Sequence, residues 1–512
     1  MKTILPLIVT VLSSVSLHGA EEQPNIILVM TDDQGYACLG AHGHPWLKTP
    51  HLDQMHAESI RFDRFMMGST CAPSRAGLMT GSHSIRNGVT HTIFERERLN
   101  LEAVTIPQVL KPVGYTSGYF GKWHLGDEEE YQPENRGFDE VFIHGAGGIG
   151  QAYPGSCADV PRNSYFNPVF RENGTFVKTQ GYCTNIIFQA TLGWINEVKN
   201  EQAPFLAILA TNAPHSPFVA PPSYQEKFAK LGFSDRHAGF YGMIEHIDEQ
   251  MGLLFHKLDE WGIADNTIVI FTTDNGMTRV DSVKGALGTS ESGEQMHLYN
   301  AGMKGLKGTV DEGGVRAPFL VKWPRVITEG RTVENVASYL DVLPTLAELA
   351  GAPLPDEHLF EGRSLVPFLT MENPKWEDRY LFQHVTRWAH TASPDDHKWR
   401  SFSVRNQRFR LVESTRYSQK AKKESVDREE LLRPQSLQLF DMLHDPGQTK
   451  DVSSQHPELV SEMVREYEQF WESVRPHMIN EEVPLADQKP YHVEYYQQRD
   501  TTGIPHWDAP KI

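Results

Sequence analysis

Four short hydrophobic runs each stop on side chains able to hold a cation or carry a proton. "NIILVMTDDQG" ends at Asp32 and Asp33, and "TIVIFTTDNG" ends at Asp274 and Asn275. "YTSGYFGKWHLG" delivers Lys122 and His124, and "PFLAILATNAPHSP" delivers Asn212 and His215. The acidic and amide groups are hard oxygen donors, the kind that select Ca2+ or Mg2+ over softer metals. A lone Asp-Asp pair is usually a turn or a helix cap. Two pairs, each closing a strand, point to a metal. Histidine titrates near neutral pH, which suits His124 and His215 to proton transfer. A fifth feature stands apart: "TCAPSRAGLMTG" sets Cys71 before Pro73, Ser74 and Arg75, with no obvious disulfide partner.

The runs that deliver these groups are nearly continuous in apolar and β-branched residues, the pattern of strands buried on both faces. Between them, "YGMIEHIDEQMGLLFHKLDEWG" repeats Ile244, Ile247, Met251, Leu254, Phe255 and Leu258 at helical spacing, and Gly262 stops it. Alternating strands and helices predict a doubly wound α/β sheet, whose ligands sit beyond the carboxyl ends of the strands. All four polar clusters fall at that end. After about residue 370 the pattern changes. "WRSFSVRNQRFRLVE" and "SLQLFDMLHDPGQ" alternate like exposed antiparallel strands, the charged run "QKAKKESVDREELLR" reads as a solvated loop, and Pro457 opens a helix. That helix carries Leu459, Val460, Met463, Val464, Tyr467, Phe470 and Trp471 on one side, a packing stripe. The predicted organisation is a catalytic domain over 21–370 and a smaller α+β C-terminal subdomain over 371–512.

The chain has 512 residues, enough for one large domain and a smaller one. Its net charge of −18 argues against a nucleic-acid partner, although local cations could still gather a small anion. Lys2 and the apolar run Ile4–Leu17 read as a signal peptide over residues 1–20, too short to span a bilayer. The expectation is an exported protein, periplasmic or extracellular, with no membrane span. In an oxidising compartment Cys157 and Cys183 could close a disulfide loop worth about 3–4 kcal/mol. Cys38 reads as a small buried hydrophobe, and Cys71 is left over.

Cys71-Ala72-Pro73-Ser74-Arg75, followed by "AGLMTG", resembles the signature of the type I, formylglycine-dependent sulfatases of the alkaline-phosphatase superfamily. Further landmarks of that family follow in register: "DDQGY", "GKWHLG", "APHSP", "TTDNG", "LKGTVDEGGVRAP", "YLDVLPTLAELAG" and "LFDMLHDPGQ". The resemblance covers nearly the whole mature chain and implies an alkaline-phosphatase-like mixed sheet sandwiched by helices. It also accounts for the leftover cysteine. In this family a formylglycine-generating maturation enzyme oxidises the signature cysteine to 3-oxoalanine, reading the proline and arginine on the unfolded chain.

The resemblance further implies one Ca2+ per chain, held by Asp32, Asp33, Asp274, Asn275 and the modified Cys71. A hydrated aldehyde offers one oxygen to attack sulfur and a second to expel sulfate afterwards, dividing one hard step into two. Arg75 would hold that hydrate. Lys122 and Lys307 would neutralise sulfate oxygens, His215 would protonate the departing alcohol, and His124 would assist release of sulfate. The implied substrates are O-sulfate esters of carbohydrates, with simple aryl sulfates also turned over. Two rival readings are a phosphonate or phosphate ester hydrolase on the same scaffold, and a non-catalytic binder of sulfated glycans should Cys71 stay unmodified.

Other conspicuous residues match no landmark. His42, His44, His390 and His397 read as surface or substrate-rim residues. "HGAGGIGQ" lacks the lysine of a phosphate loop and reads as a flexible loop near the pocket. Asn173-Gly174-Thr175 is a glycosylation sequon. Leu306 stands where the family often has glycine, and the stretch from Gly276 to Met303 is long. Both bear on pocket shape, because specificity varies in the loops between fixed strands.

Overall fold

The computed structural model describes residues 23–201, 203–280, 288–289, 295–414 and 433–512. The predicted signal peptide and most of the charged run after residue 414 lie outside the described residues, as does much of the stretch from Gly276 to Met303. One ten-stranded sheet dominates. Its strands are β1 (Asn25–Thr31), β2 (Ile60–Phe62), β3 (Thr116–Lys122), β4 (Glu140–His144), β5 (Val169–Glu172), β6 (Thr175–Lys178), β7 (Phe205–Ala210), β8 (Thr267–Thr273), β9 (Phe319–Lys322) and β10 (Arg331–Val333). Their spatial order is β10-β2-β9-β8-β1-β7-β3-β4-β5-β6.

The five central strands, β8, β1, β7, β3 and β4, run parallel. Pairings of β9 with β8 and of β5 with β4 are antiparallel, so the sheet is mixed. The four apolar runs of the sequence are β1, β3, β7 and β8, and their register aligns the polar clusters at one sheet edge: Met30 sits beside Ala210 and Thr272, and Gly121 beside Ala210.

Alternating side chains of these strands feed two separate cores, which is why the runs carry no polar alternation. Ile27, Val29, Ala207 and Leu209 pack with α1 (Pro50–Glu58), α3 (Cys183–Val198) and α4 (Asp235–Glu260). Ile26, Leu28, Leu206 and Ile208 pack with α2 (Cys71–Thr80) and α5 (Val342–Ala350) on the other face. The stripe predicted for α4 is buried at Ile244, Ile247, Met251, Leu254 and Leu258, with Phe255 half-buried against the same core. The helix begins earlier than the apolar spacing suggests, at an N-cap where the Ser234 side chain accepts from the His237 backbone N–H.

A four-stranded antiparallel sheet follows, ordered β11 (Leu381–His384), β12 (Phe402–Arg405), β13 (Phe409–Glu413) and β14 (Leu437–Asp441). Helix α6 (Pro457–Val474) covers it through Met463, Tyr467, Phe470, Trp471 and Val474, with Tyr467 stacked on Phe402 at 3.8 Å. The expectation of exposed strands is corrected here. Every residue of β12 is buried, because α6 covers one face while Arg405 turns inward to Glu312. The chain then forms α7 (Pro490–Thr501) and returns to the large sheet, where the Trp507 N–H donates to the Lys178 carbonyl at the free edge of β6.

Three further expectations change. Cys157 and Cys183 are both free and buried, not bonded to each other. His44 and His397 are core residues, not rim residues: His44 packs edge-on against Tyr241, and His397 stacks on Trp388. The "HGAGGIGQ" segment is buried from His144 to Ile149 and packs on the site, so close that a Cβ at Gly147 would fall 2.6 Å from the His124 ring.

Candidate active site

The polar clusters converge. Asp32 and Asp33 leave β1, Asp274 and Asn275 leave β8, Lys122 closes β3, and His215 follows β7. Cys71 is the first residue of α2, with Thr70 in extended conformation at the N-cap. It therefore sits on the positive end of a helix, a position that favours anions. Arg75 lies one turn further along the same face. Gly121, before Lys122, has φ +110°, and a Cβ there would meet the Ala210 carbonyl at 2.0 Å. Only glycine lets β3 and β7 approach this closely at the site.

Three carboxylates and three cations pair one to one. Lys122 Nζ lies 2.6 Å from Asp32 Oδ2, Lys307 Nζ lies 2.5 Å from Asp33 Oδ1, and Arg75 Nη2 lies 2.9 Å from Asp274 Oδ2. Arg75 also donates to the Lys122 carbonyl at 2.6 Å. Lys307 Nζ stands 4.0 Å from the Cys71 sulfur, so position 71 faces a cation rather than another thiol. The pairing leaves specific oxygen atoms over. Asp32 Oδ1 and Asn275 Oδ1 are buried without a hydrogen-bond partner, while Asn275 Nδ2 donates to Asp33 Oδ1 at 2.9 Å. Ligand oxygens of Asp32, Asp33 and Asp274 lie within 4.8 Å of one another. Buried unpartnered oxygens among clustered carboxylates are costly unless a cation joins them, and the donor set fits a hard divalent ion.

The electrostatics follow from burial. Burial raises Asp32 to about 6 against the pull of Lys122, and raises Asp274 to about 6 with the help of Asp32 and against Arg75. At Asp33 burial acts upward too, but Lys307, His215 and Lys122 together outweigh it and hold the carboxyl below the usual range. At Cys71 burial likewise opposes ionisation, but Lys122 and Lys307 outweigh it and lower the thiol. Burial lowers His215 to about 4, opposed by Asp33, and depresses His124 well below the ordinary imidazole value.

Each histidine has one nitrogen fixed by backbone. His215 Nδ1 lies 2.8 Å from the Ser216 carbonyl and therefore carries the proton there, leaving Nε2 as the free nitrogen, 3.8 Å from Asp33 Oδ2. His124 Nε2 lies 2.8 Å from the Thr92 carbonyl, which leaves Nδ1 buried without a partner. Asp33 and His124 both adopt left-handed backbone, with φ of 72° and 61°. Strain of this kind in non-glycine residues concentrates at working sites. All predicted site residues are thus brought together. Sequence reasoning missed His144, which lies opposite Lys122 in the β3–β4 register and keeps Nε2 buried and unpartnered. Its position at a strand end was the available signal.

A metal-ready cluster of paired charges at the carboxyl edge of a mixed, helix-sandwiched sheet defines the alkaline-phosphatase class of hydrolases. The Sulfatase family profile matches residues 24–352, and the profile "N-sulphoglucosamine sulphohydrolase, C-terminal" matches residues 307–473. Human N-acetylgalactosamine-6-sulfatase is 32% identical over 396 residues, covering 74% of this chain and 72% of its own. Human arylsulfatase A is 34% identical over 377 residues, covering 68% of each chain. The solved structure of Ps i-CgsB in complex with k-i-k-neocarrahexaose superposes with a TM-score of 0.69 at 25% identity, covering 93% of this chain and 97% of that one. The chain belongs to the sulfatase family and is a sulfuric ester hydrolase.

Proposed function

We propose that the chain is a calcium-dependent sulfatase that hydrolyses O-sulfate esters of carbohydrates, and aryl sulfates as well, through 3-oxoalanine formed from Cys71. One observation carries the reading. Lys122, Lys307 and Arg75 already neutralise Asp32, Asp33 and Asp274, yet Asp32 Oδ1 and Asn275 Oδ1 remain buried and unpartnered beside position 71. A divalent ion held by Asp32, Asp33, Asp274 and Asn275 would give the pocket a net positive charge suited to an anionic ester, and would supply the charge that acidifies an attacking hydroxyl. The hydrated aldehyde supplies that hydroxyl and a second oxygen for releasing sulfate.

The chain's own residues have separable tasks. Lys122 and Lys307 stabilise negative charge on sulfate oxygens as it redistributes. Arg75 fixes Asp274 and, through its own helix, position 71. His215, held at Nδ1 by the Ser216 carbonyl, first takes up a proton at Nε2, a cationic form that Asp33 Oδ2 at 3.8 Å favours, and passes that proton to the leaving alcohol. His124 accepts a proton at Nδ1 during sulfate release, with Nε2 tied to Thr92. The sugar preference is supported by relatives named for N-acetylgalactosamine-6-sulfate and by the neocarrahexaose complex.

Export and maturation belong to the same reading. Residues 1–20 would be a cleaved signal, and a formylglycine-generating enzyme would act on Cys71-Ala72-Pro73-Ser74-Arg75 before folding buries it. No helix among the described residues is long and apolar enough to cross a membrane. The catalytic domain would span 21–370 and the C-terminal subdomain 371–512. Parallel rates on sulfate and phosphate esters of one aryl alcohol, with wild type and Cys71→Ala, test the assignment. Sulfate should be preferred and the variant should stay folded but inactive. Faster phosphate or phosphonate turnover, or an active Cys71→Ala, would overturn it.

A further inference from the structure

The deep end of the pocket is balanced in charge, but a cation at its rim is not. Arg387 follows β11 in the small sheet, is exposed, and makes no salt bridge among the described residues. Its Nη2 donates to Thr92 Oγ1 at 3.2 Å, and the Thr92 carbonyl is the group held by His124 Nε2 at 2.8 Å. Arg387 and His124 therefore grip the two ends of one residue, which puts the guanidinium a single residue away from His124. It is close enough to Lys307 and Tyr153 for its positive charge to act on both.

The loop carrying Thr92 is built to stay put. Phe94 and Glu95 both adopt left-handed backbone, with φ of 70° and 64°. Such a pair persists only when its surroundings over-determine it. They do: the buried Glu95 carboxylate accepts from Ser156 N at 3.0 Å, Ser156 Oγ at 2.5 Å and Ala486 N at 2.7 Å, and pairs with Arg98 at 2.9 Å. Phe94 is clamped between His91 and His390. The tether that holds Arg387 is rigid, so little ordering remains to be done when a ligand arrives. Lys307 is paired with Asp33 at 2.5 Å, whereas Arg387 has no carboxylate partner among the described residues and so keeps its charge free for an anion. Its planar fork matches a carboxylate or a sulfate, and only Nη2 is committed to the protein among the described residues.

We propose that Arg387 binds a second anionic group of the substrate, a carboxylate or another sulfate, placed beside the ester being cleaved. The proposal rests on the sulfatase reading and narrows its substrates to polyanionic saccharides. Arg387 would act on specificity from the C-terminal subdomain, without touching the sulfur.

Three saccharides sharing one scissile sulfate test it: one monosulfated, one carrying a second sulfate, and one carrying a neighbouring carboxylate. In Arg387→Ala the preference for the dianionic over the monosulfated substrate, as a ratio of kcat/KM, should fall about 10- to 100-fold, mostly through KM. Arg387→Lys should recover part of it, and the arm that loses more identifies the group bound. An unchanged ratio in both dianionic arms overturns the proposal. Should wild type hydrolyse no sulfate ester, the sulfatase reading fails by itself. Calorimetric binding of the disulfated saccharide to wild type and Arg387→Ala then still decides the role of Arg387, equal affinities overturning it and weaker binding by the variant upholding it.

Discussion

Replacing Lys307 by methionine keeps the length and apolar stem of the side chain and removes only its charge. Lys307 Nζ lies 4.0 Å from Cys71 Sγ, whose place an oxygen of the hydrated aldehyde would take. At about 4 Å a unit charge attracts an opposite one by roughly 4 kcal/mol in a partly screened site. Single groups aimed at developing charge contribute about 2.7–4 kcal/mol when removed from enzymes. The two figures agree, and kcat for an aryl sulfate should fall about 10²- to 10³-fold in Lys307→Met. Stability should move less. Asp33 loses its partner at 2.5 Å but keeps Asn275 Nδ2 at 2.9 Å and His215 at 3.8 Å. A charged hydrogen bond of about 1.5–3 kcal/mol is then at stake, not a whole buried pair. Initial rates at saturating calcium, with circular dichroism to verify folding, give the answer, and Lys307→Arg should recover part of the loss. A fall smaller than about tenfold in a folded, calcium-loaded variant would refute the placement of Lys307 on the sulfate.

Chelation should lower the melting temperature, because Asp32 Oδ1 and Asn275 Oδ1 lose their sole partner while three carboxylates stay within 4.8 Å. Calcium at about 100 times its Kd should restore roughly 2.7 kcal/mol, and identical melting with and without chelator would exclude the ion. Glu312 ties the segment before β9 to the small sheet, lying 2.9 Å from Arg410, 3.5 Å from Arg405 and 3.9 Å from Arg316. Glu312→Ala would leave those guanidinium groups buried together, and urea unfolding should report a loss of about 3–5 kcal/mol; an unchanged midpoint would contradict the role.

The parts of this protein that the sequence disclosed are those whose environment is uniform. Strands β1, β3, β7 and β8 are buried on both faces, so they show no polar alternation and the charged groups at their ends stand out. Helix α4 has one dry stripe, and its period is plain. What stayed hidden depends on distant partners. Nothing local marks His44 as a core residue; it becomes one because Tyr241, two hundred positions later, packs on its ring. The alternation of β12 suggests one wet face, yet Arg405 and Ser403 are buried, the former against Glu312 at the start of a distant short helix. Cysteine count suggested a disulfide, but Cys157 lies beside the Thr92 carbonyl while Cys183 opens α3. Strands β2, β9 and β10 are too short for any period to emerge. Within the site, strand ends, the Cys71–Arg75 signature and the landmark holding Lys307 pointed to the paired charges and the two histidines that the fold brings together. His144 also closes a strand, but only sheet register sets it opposite Lys122, and Arg387 comes near through the fold of the second subdomain, which leaves no local pattern.

The mechanism depends most on what position 71 becomes in working enzyme, and peptide mass spectrometry of that segment from catalytically active protein measures it. An aldehyde, lighter than the encoded thiol, in proportion to specific activity across preparations is the predicted result. Full sulfate ester hydrolysis by protein whose Cys71 is entirely an unmodified thiol would contradict the mechanism outright.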